Sequence, residues 1–178
     1  MTAYKEIVTK AVIGKGKKFF QNAYSVTPEA DVNTVLGCWV INHQFSGAEK
    51  NDKIIIKGRY DVNMWYSYDN DTKTAVLTKT IDYQEEVKVK IKEDSDLSSH
   101  KEIIIRALKQ PNCIKVDVKD ELIEFIVEKE LGIEVVGETK IKVGVETDEE
   151  PWEELVEDEA LTQDVEEEIE QSIEEDFL

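Results

Sequence analysis

The chain has 178 residues with 40 acidic and 22 basic side chains, a formal net charge of -18 and 40% hydrophobic residues. That length predicts one main domain with an appendage and excludes two large domains, while the apolar fraction excludes a wholly disordered chain. Apolar runs are far shorter than the roughly 20 residues of a membrane-spanning helix, so membrane insertion is excluded as well.

The first ten residues are polar and charged and lack the apolar stretch of a secretory signal, which predicts synthesis in the cytosol. Cys38 and Cys113 are then expected as reduced thiols. Residues 6–13 and 17–26 read as two strands joined by Gly14-Lys15-Gly16, a first β-hairpin. A loop over 27–33 leads to a buried strand over 34–43, with Gly37 marking a possible bulge. The strongest pattern is at 54–68. Ile54, Ile56, Tyr60, Val62, Met64, Tyr66 and Tyr68 share one parity and the other is mainly polar, the signature of a strand with one face on a core. Gly58 interrupts that row and predicts a bend.

Asp69-Asn70-Asp71-Thr72-Lys73 is a turn cluster, after which Ala75, Leu77, Ile81, Tyr83, Val87, Val89 and Ile91 again share one parity. The two runs predict a long antiparallel ribbon. A polar loop over 93–99 precedes four short strands at 103–108, 113–118, 123–127 and 141–145, with turn signals at Gln110-Pro111-Asn112 and Lys119-Asp120-Glu121. Eight to ten strands and few helical windows predict a mainly β body over 1–147, an antiparallel β-sandwich built as one sandwich or two small β-modules.

Residues 148–178 are different: they hold 16 Asp and Glu and no Lys or Arg. The remaining 24 acids and 22 bases leave the body at -2. A nearly neutral body with a polyanionic tail lacks the phosphate attraction behind nonspecific nucleic-acid affinity, so nucleic acid is not an expected partner. Trp152, Leu155, Val156, Leu161, Val165, Ile169, Ile173 and Phe177 punctuate the tail, mostly at helical spacing. Repulsion between acids at i,i+4 costs roughly 0.2–0.5 kcal/mol per pair, which predicts a tail that is disordered or partly helical until a partner covers those residues. Charge combined with apolar anchors is the composition of a binding segment, and solubility alone needs no hydrophobes.

Chemistry-bearing motifs are few. Cys38 and His43 are near in sequence but have opposite parity, which on a regular strand puts them on opposite faces and argues against a thiolate and its base. Buried Cys38 as a small hydrophobe and His100 as a solvated loop residue are the simpler expectations. Gly14-Lys15-Gly16-Lys17-Lys18 lacks the spacing of a phosphate loop. Asp69 to Thr80 fails as a calcium loop, with Thr74 where glycine is needed and Thr80 where glutamate is needed. No catalytic, metal or cofactor site is assigned. Sheet edges predict self-association, with lysines such as Lys88, Lys90 and Lys92 as the opposing, edge-blunting feature.

Several uncommon strings occur in one order: residues 6–16 (EIVTKAVIGKG), Leu36-Gly37 with Trp39 and Ile41-Asn42-His43, and Gly58 with Tyr60-Asp61-Val62-Asn63-Met64-Trp65-Tyr66-Ser67-Tyr68. Gln110-Pro111-Asn112-Cys113, Val135-Val136-Gly137-Glu138-Thr139-Lys140 and the acidic C-terminus follow. Through these the chain resembles the CotE family, outer spore-coat morphogenetic proteins of endospore-forming bacilli, over nearly its whole length. It departs from the family pattern at Cys38, where a second aromatic beside Trp39 is expected, and in having fewer aromatic residues in its tail. The resemblance implies a nonenzymatic scaffold made in the mother-cell cytoplasm and placed in the outer spore coat. It implies self-association through the N-terminal region, docking to the spore surface through internal segments, and recruitment of other coat proteins by the acidic tail, with an inner-layer morphogenetic protein among the partners. A monomeric ligand- or carbohydrate-binding β-sandwich, with Trp65, Tyr66 and Tyr68 as its platform, is the alternative expectation.

Overall fold

The computed structural model describes residues 3–92 and 100–145. The tail anchors Trp152 to Phe177 and the loop expected at 93–99 lie outside the described residues. The chain divides into two compact units, and the larger, Lys5–Val143, holds most of the sheets. Six strands account for them: β1 (Ala3–Val26), β2 (Val32–Lys50), β3 (Lys53–Tyr68), β4 (Lys73–Val87), β5 (Glu102–Lys119) and β6 (Leu122–Val145). They form two antiparallel three-stranded sheets, ordered β1-β6-β5 and β2-β3-β4.

The alternation at 54–68 is borne out as β3, the central strand of its sheet, with Ile54, Ile56, Tyr60, Val62, Met64 and Tyr66 buried. The predicted ribbon is the β3/β4 pair, in unbroken register from Ile54↔Val87 to Tyr68↔Lys73. Its turn places Asp69, Asn70 and Asp71 at positive φ, which short polar side chains tolerate best among non-glycine residues. The strand β6 is central in the other sheet and supplies the opposite half of the core. One hydrophobic cluster joins Ile13 and Phe20 of β1 to Ile54 and Ile56 of β3 and Leu131, Ile133 and Val135 of β6. A second joins Tyr60, Val62, Met64 and Tyr66 to Ile123, Phe125 and Val127. Both clusters draw on both sheets, so the body is one sandwich rather than two modules.

Three expectations are corrected by strand length. The predicted hairpin at 6–26 is one continuous strand. Gly14 serves a close approach instead of a turn, for a Cβ there would stand 2.9 Å from Ile91 Cδ1 and 3.1 Å from the Lys90 carbonyl oxygen. A bridge between Gly14 and Ile91 and the Lys92 N–H to Ile13 oxygen bond use that space. Residues 103–108 and 113–118 merge into β5, which runs through Pro111 because an edge strand with register shifts tolerates a missing N–H. Residues 123–127 and 141–145 merge into β6, whose inward row Lys129, Leu131, Ile133 and Val135 is disguised by the lysine. Asp120 and Glu121, both at positive φ, make the predicted β5/β6 turn. At Gly58, the ring of its cross-strand partner Tyr83 lies where a Cβ would be, 2.2 Å from Tyr83 Cζ, so this position serves a close approach.

Candidate assembly surface and buried polar belt

Between the two core clusters, where Gly58 leaves room, lies a belt of polar side chains. Lys129 points inward from β6 and is only 1% exposed. Its ammonium donates to Glu85 Oε1 at 3.1 Å and to Asn22 Oδ1 at 3.4 Å, and it sits 4.1 Å from the Tyr83 ring centroid. Burial lowers the Lys129 pKa from its ordinary value, and Glu85 opposes that shift. Tyr83 donates its hydroxyl to His43 Nε2 at 2.7 Å, and His43 Nδ1–H donates to Gln110 Oε1 at 3.0 Å. Those partners assign the proton to Nδ1 in a neutral ring, in keeping with a pKa lowered chiefly by burial. Every buried side-chain nitrogen and oxygen among the described residues has a hydrogen-bond partner. The belt joins the strands through mutual satisfaction and offers no free nucleophile.

The parity argument separating Cys38 from His43 fails, for a reason the sequence conceals. A register shift between Ile41 and Gln44, with Asn42 at φ 56°, slips the strand by one residue and returns His43 to the inner face that Cys38 shares. The two still form no dyad. His43 is engaged by Tyr83 and Gln110, while the neighbour that acts on the Cys38 thiol is Cys113.

The outer surface carries the unusual features. The inward row of β6 stays apolar past Thr139, yet the opposite sheet no longer covers it, leaving Ile141 43% and Val143 39% exposed. On β1 every residue from Lys5 to Lys10 is exposed, including Ile7 at 43% and Val8 at 61%. Ile7 and Val8 point to opposite faces, so this β1/β6 ribbon is apolar on both sides. Glu6 and Lys140 pair across it at 2.5 Å. The strand β1 is also a sheet edge, and the Gly14–Ile91 bridge is the single pairing on its outer side among the described residues. A long edge with exposed apolar side chains is a template for another strand. The hairpin expected over residues 6–26 conceals this surface, and the signal for it in the sequence is residues 6–13, with apolar side chains at both parities.

A second patch lies on the outer face of the β2-β3-β4 sheet. Trp65 pairs with Gly37 on one side and Val76 on the other, and the Trp39 ring lies over Gly37. Trp39, Trp65 and Val76 are exposed, whereas Tyr66 is buried and Tyr68 half-buried in the core. The expected platform of Trp65, Tyr66 and Tyr68 is therefore divided between the two faces of the sheet.

The described residues include no group of three or more His, Cys, Asp or Glu placed to hold a metal ion, and no helix long and apolar enough to cross a membrane. No curated protein and no solved structure matches the chain. The family description "Outer spore coat protein E (CotE)" matches residues 3–178, which span both the sandwich and the acidic tail, and the chain belongs to that family of outer spore coat proteins.

Proposed function

We propose that the protein is a nonenzymatic structural unit of the outer spore coat that associates with itself through the β1/β6 ribbon. Its acidic tail, residues 148–178, recruits other coat proteins. The observation that carries this reading is the ribbon: among the described residues, an edge paired on its outer side only at Gly14, with Ile7, Val8, Ile141 and Val143 exposed, has the backbone and the side chains that strand addition needs. The charge map supports the division of labour. A tail of -16 on a body of about -2 attracts basic partners at a distance, and its apolar anchors supply short-range burial. The protein is made in the mother-cell cytoplasm, docks on an inner-layer morphogenetic protein and presents many tails on one lattice. Weak single contacts then add through effective concentration.

Size-exclusion chromatography with light scattering on the full chain tests the first half. Wild type is expected as large assemblies, and Ile7→Asp combined with Ile141→Asp as small species with an unchanged circular dichroism spectrum. A monomeric wild type, or assemblies that survive both substitutions, overturns the ribbon. Deleting 148–178 is expected to preserve assembly and abolish coat-protein recruitment in sporulating cells; loss of both together overturns the division.

A further inference from the structure

One lateral seam of the sandwich, where β2 of one sheet lies against β5 of the other, holds the two cysteines. Three contacts fix its register. Lys101 Nζ lies 3.5 Å from Glu49 Oε1, a Cβ at Gly47 would stand 2.6 Å from Ile105 Cγ1, and His43 meets Gln110 at 3.0 Å. As β2 is followed backwards from Glu49 through Gly47 to His43, the partner advances along β5 from Lys101 through Ile105 to Gln110. The same antiparallel progression brings Cys38 opposite Cys113. Both side chains are half-buried against the cluster around Tyr60 and Val62. The Cys113 thiol also reaches the Lys115 carbonyl oxygen at 3.8 Å.

We propose that Cys38 and Cys113 are a modification site, a thiol pair that closes to a disulfide across the seam by exchange with a low-molecular-weight disulfide. The Cys113 thiolate attacks one sulfur of the small disulfide, forming a mixed disulfide and expelling one thiolate, which takes up a proton. Cys38 then loses its proton to solvent and its sulfur attacks Cys113 Sγ, expelling the second thiolate. Two protein thiols are oxidised, one disulfide is reduced to two thiols, and two electrons pass. The roles follow from the influence of the two thiols on each other, which holds Cys113 below the ordinary thiol range and pushes Cys38 up, with burial adding to the latter shift. The pair stays reduced in a reducing compartment and closes where the surroundings turn oxidising. The site needs no contact with a second copy, so it stands independently of the assembly reading.

The test uses the purified full chain, treated under native conditions with oxidised glutathione and followed by intact mass and nonreducing electrophoresis. The expected product is a monomeric-mass species that has lost both free thiols and two hydrogens and carries no adduct. Its thermal midpoint should rise by roughly 5–10 °C, reversibly with dithiothreitol. Cys38→Ser is expected to trap a glutathione adduct on Cys113. Stable adducts on both cysteines of the wild type, disulfides formed only between chains, or thiols that remain unreacted in the folded protein would each overturn the proposal.

Discussion

Gly58→Ala is the smallest substitution that should disturb the centre of this fold. The added methyl would lie 2.2 Å from Tyr83 Cζ and 2.3 Å from its hydroxyl oxygen, well inside contact distance, so the ring must move. Overpacking of a core costs about 1–3 kcal/mol. Displacing Tyr83 also breaks its hydrogen bond to His43 and withdraws the ring from Lys129, leaving polar groups unsatisfied at a further cost of about 1–3 kcal/mol. The gain from replacing a strand glycine offsets about 0.5–1 kcal/mol. The net loss is about 1–5.5 kcal/mol, which for a body of this size lowers the thermal midpoint by roughly 2–22 °C. Urea titration monitored by tyrosine and tryptophan fluorescence measures it, with Tyr83→Ala and the double variant completing a thermodynamic cycle. The mechanism requires the double variant to lose less than the sum of the single losses, because removing the ring removes the clash. Additive losses, or a Gly58→Ala protein within about 0.5 kcal/mol of wild type, would refute it.

Lys129→Ala leaves Glu85, 18% exposed, without its partner and should cost about 3–5 kcal/mol in urea titration, whereas Asp82→Ala, which removes the exposed Arg59 pair, should leave the urea midpoint nearly unchanged. Comparable losses for the two would show that the buried pair is not a special contact. Tyr60 is fully buried and donates to the Tyr24 hydroxyl at 3.1 Å, and its pKa is raised, chiefly by burial. Its folded pKa lies above the unfolded value, so its contribution is intact below about pH 10 and declines as pH rises further, by about 1.4 kcal/mol per pH unit. Lys129 acts in the opposite sense, since its lowered folded pKa makes stability rise with pH up to its unfolded value near 10.4. Tyr60→Phe should flatten the decline seen by circular dichroism between pH 10 and pH 12, and an unchanged slope would contradict the assignment.

The parts legible in the sequence were those governed by local alternation. The strand β3 and its pairing with β4 follow from a period-2 row and a polar turn, both properties of adjacent residues. What escaped detection was set by contacts distant along the chain. Gly14 resembles a turn until Ile91 is placed against it, and the inward row of β6 is hidden because Lys129 breaks its apolar pattern. Asn42, at positive φ, reverses the facing of His43 in a way that no periodicity reveals. The cysteines illustrate the same limit. Each reads as an isolated thiol, and only the approach of β2 to β5 brings them together.

The sandwich treats its two flanks differently. Where β2 meets β5, side chains interlock from Glu49 to Cys38, and that flank is sutured within one molecule. Among the described residues, the outer border of β1 is fastened at Gly14 and bare toward its beginning. A body with one finished flank and one unfinished one has a built-in direction. Copies joined through the bare border against a different surface would add in a head-to-tail sense, and such growth stops only where rotation closes a ring.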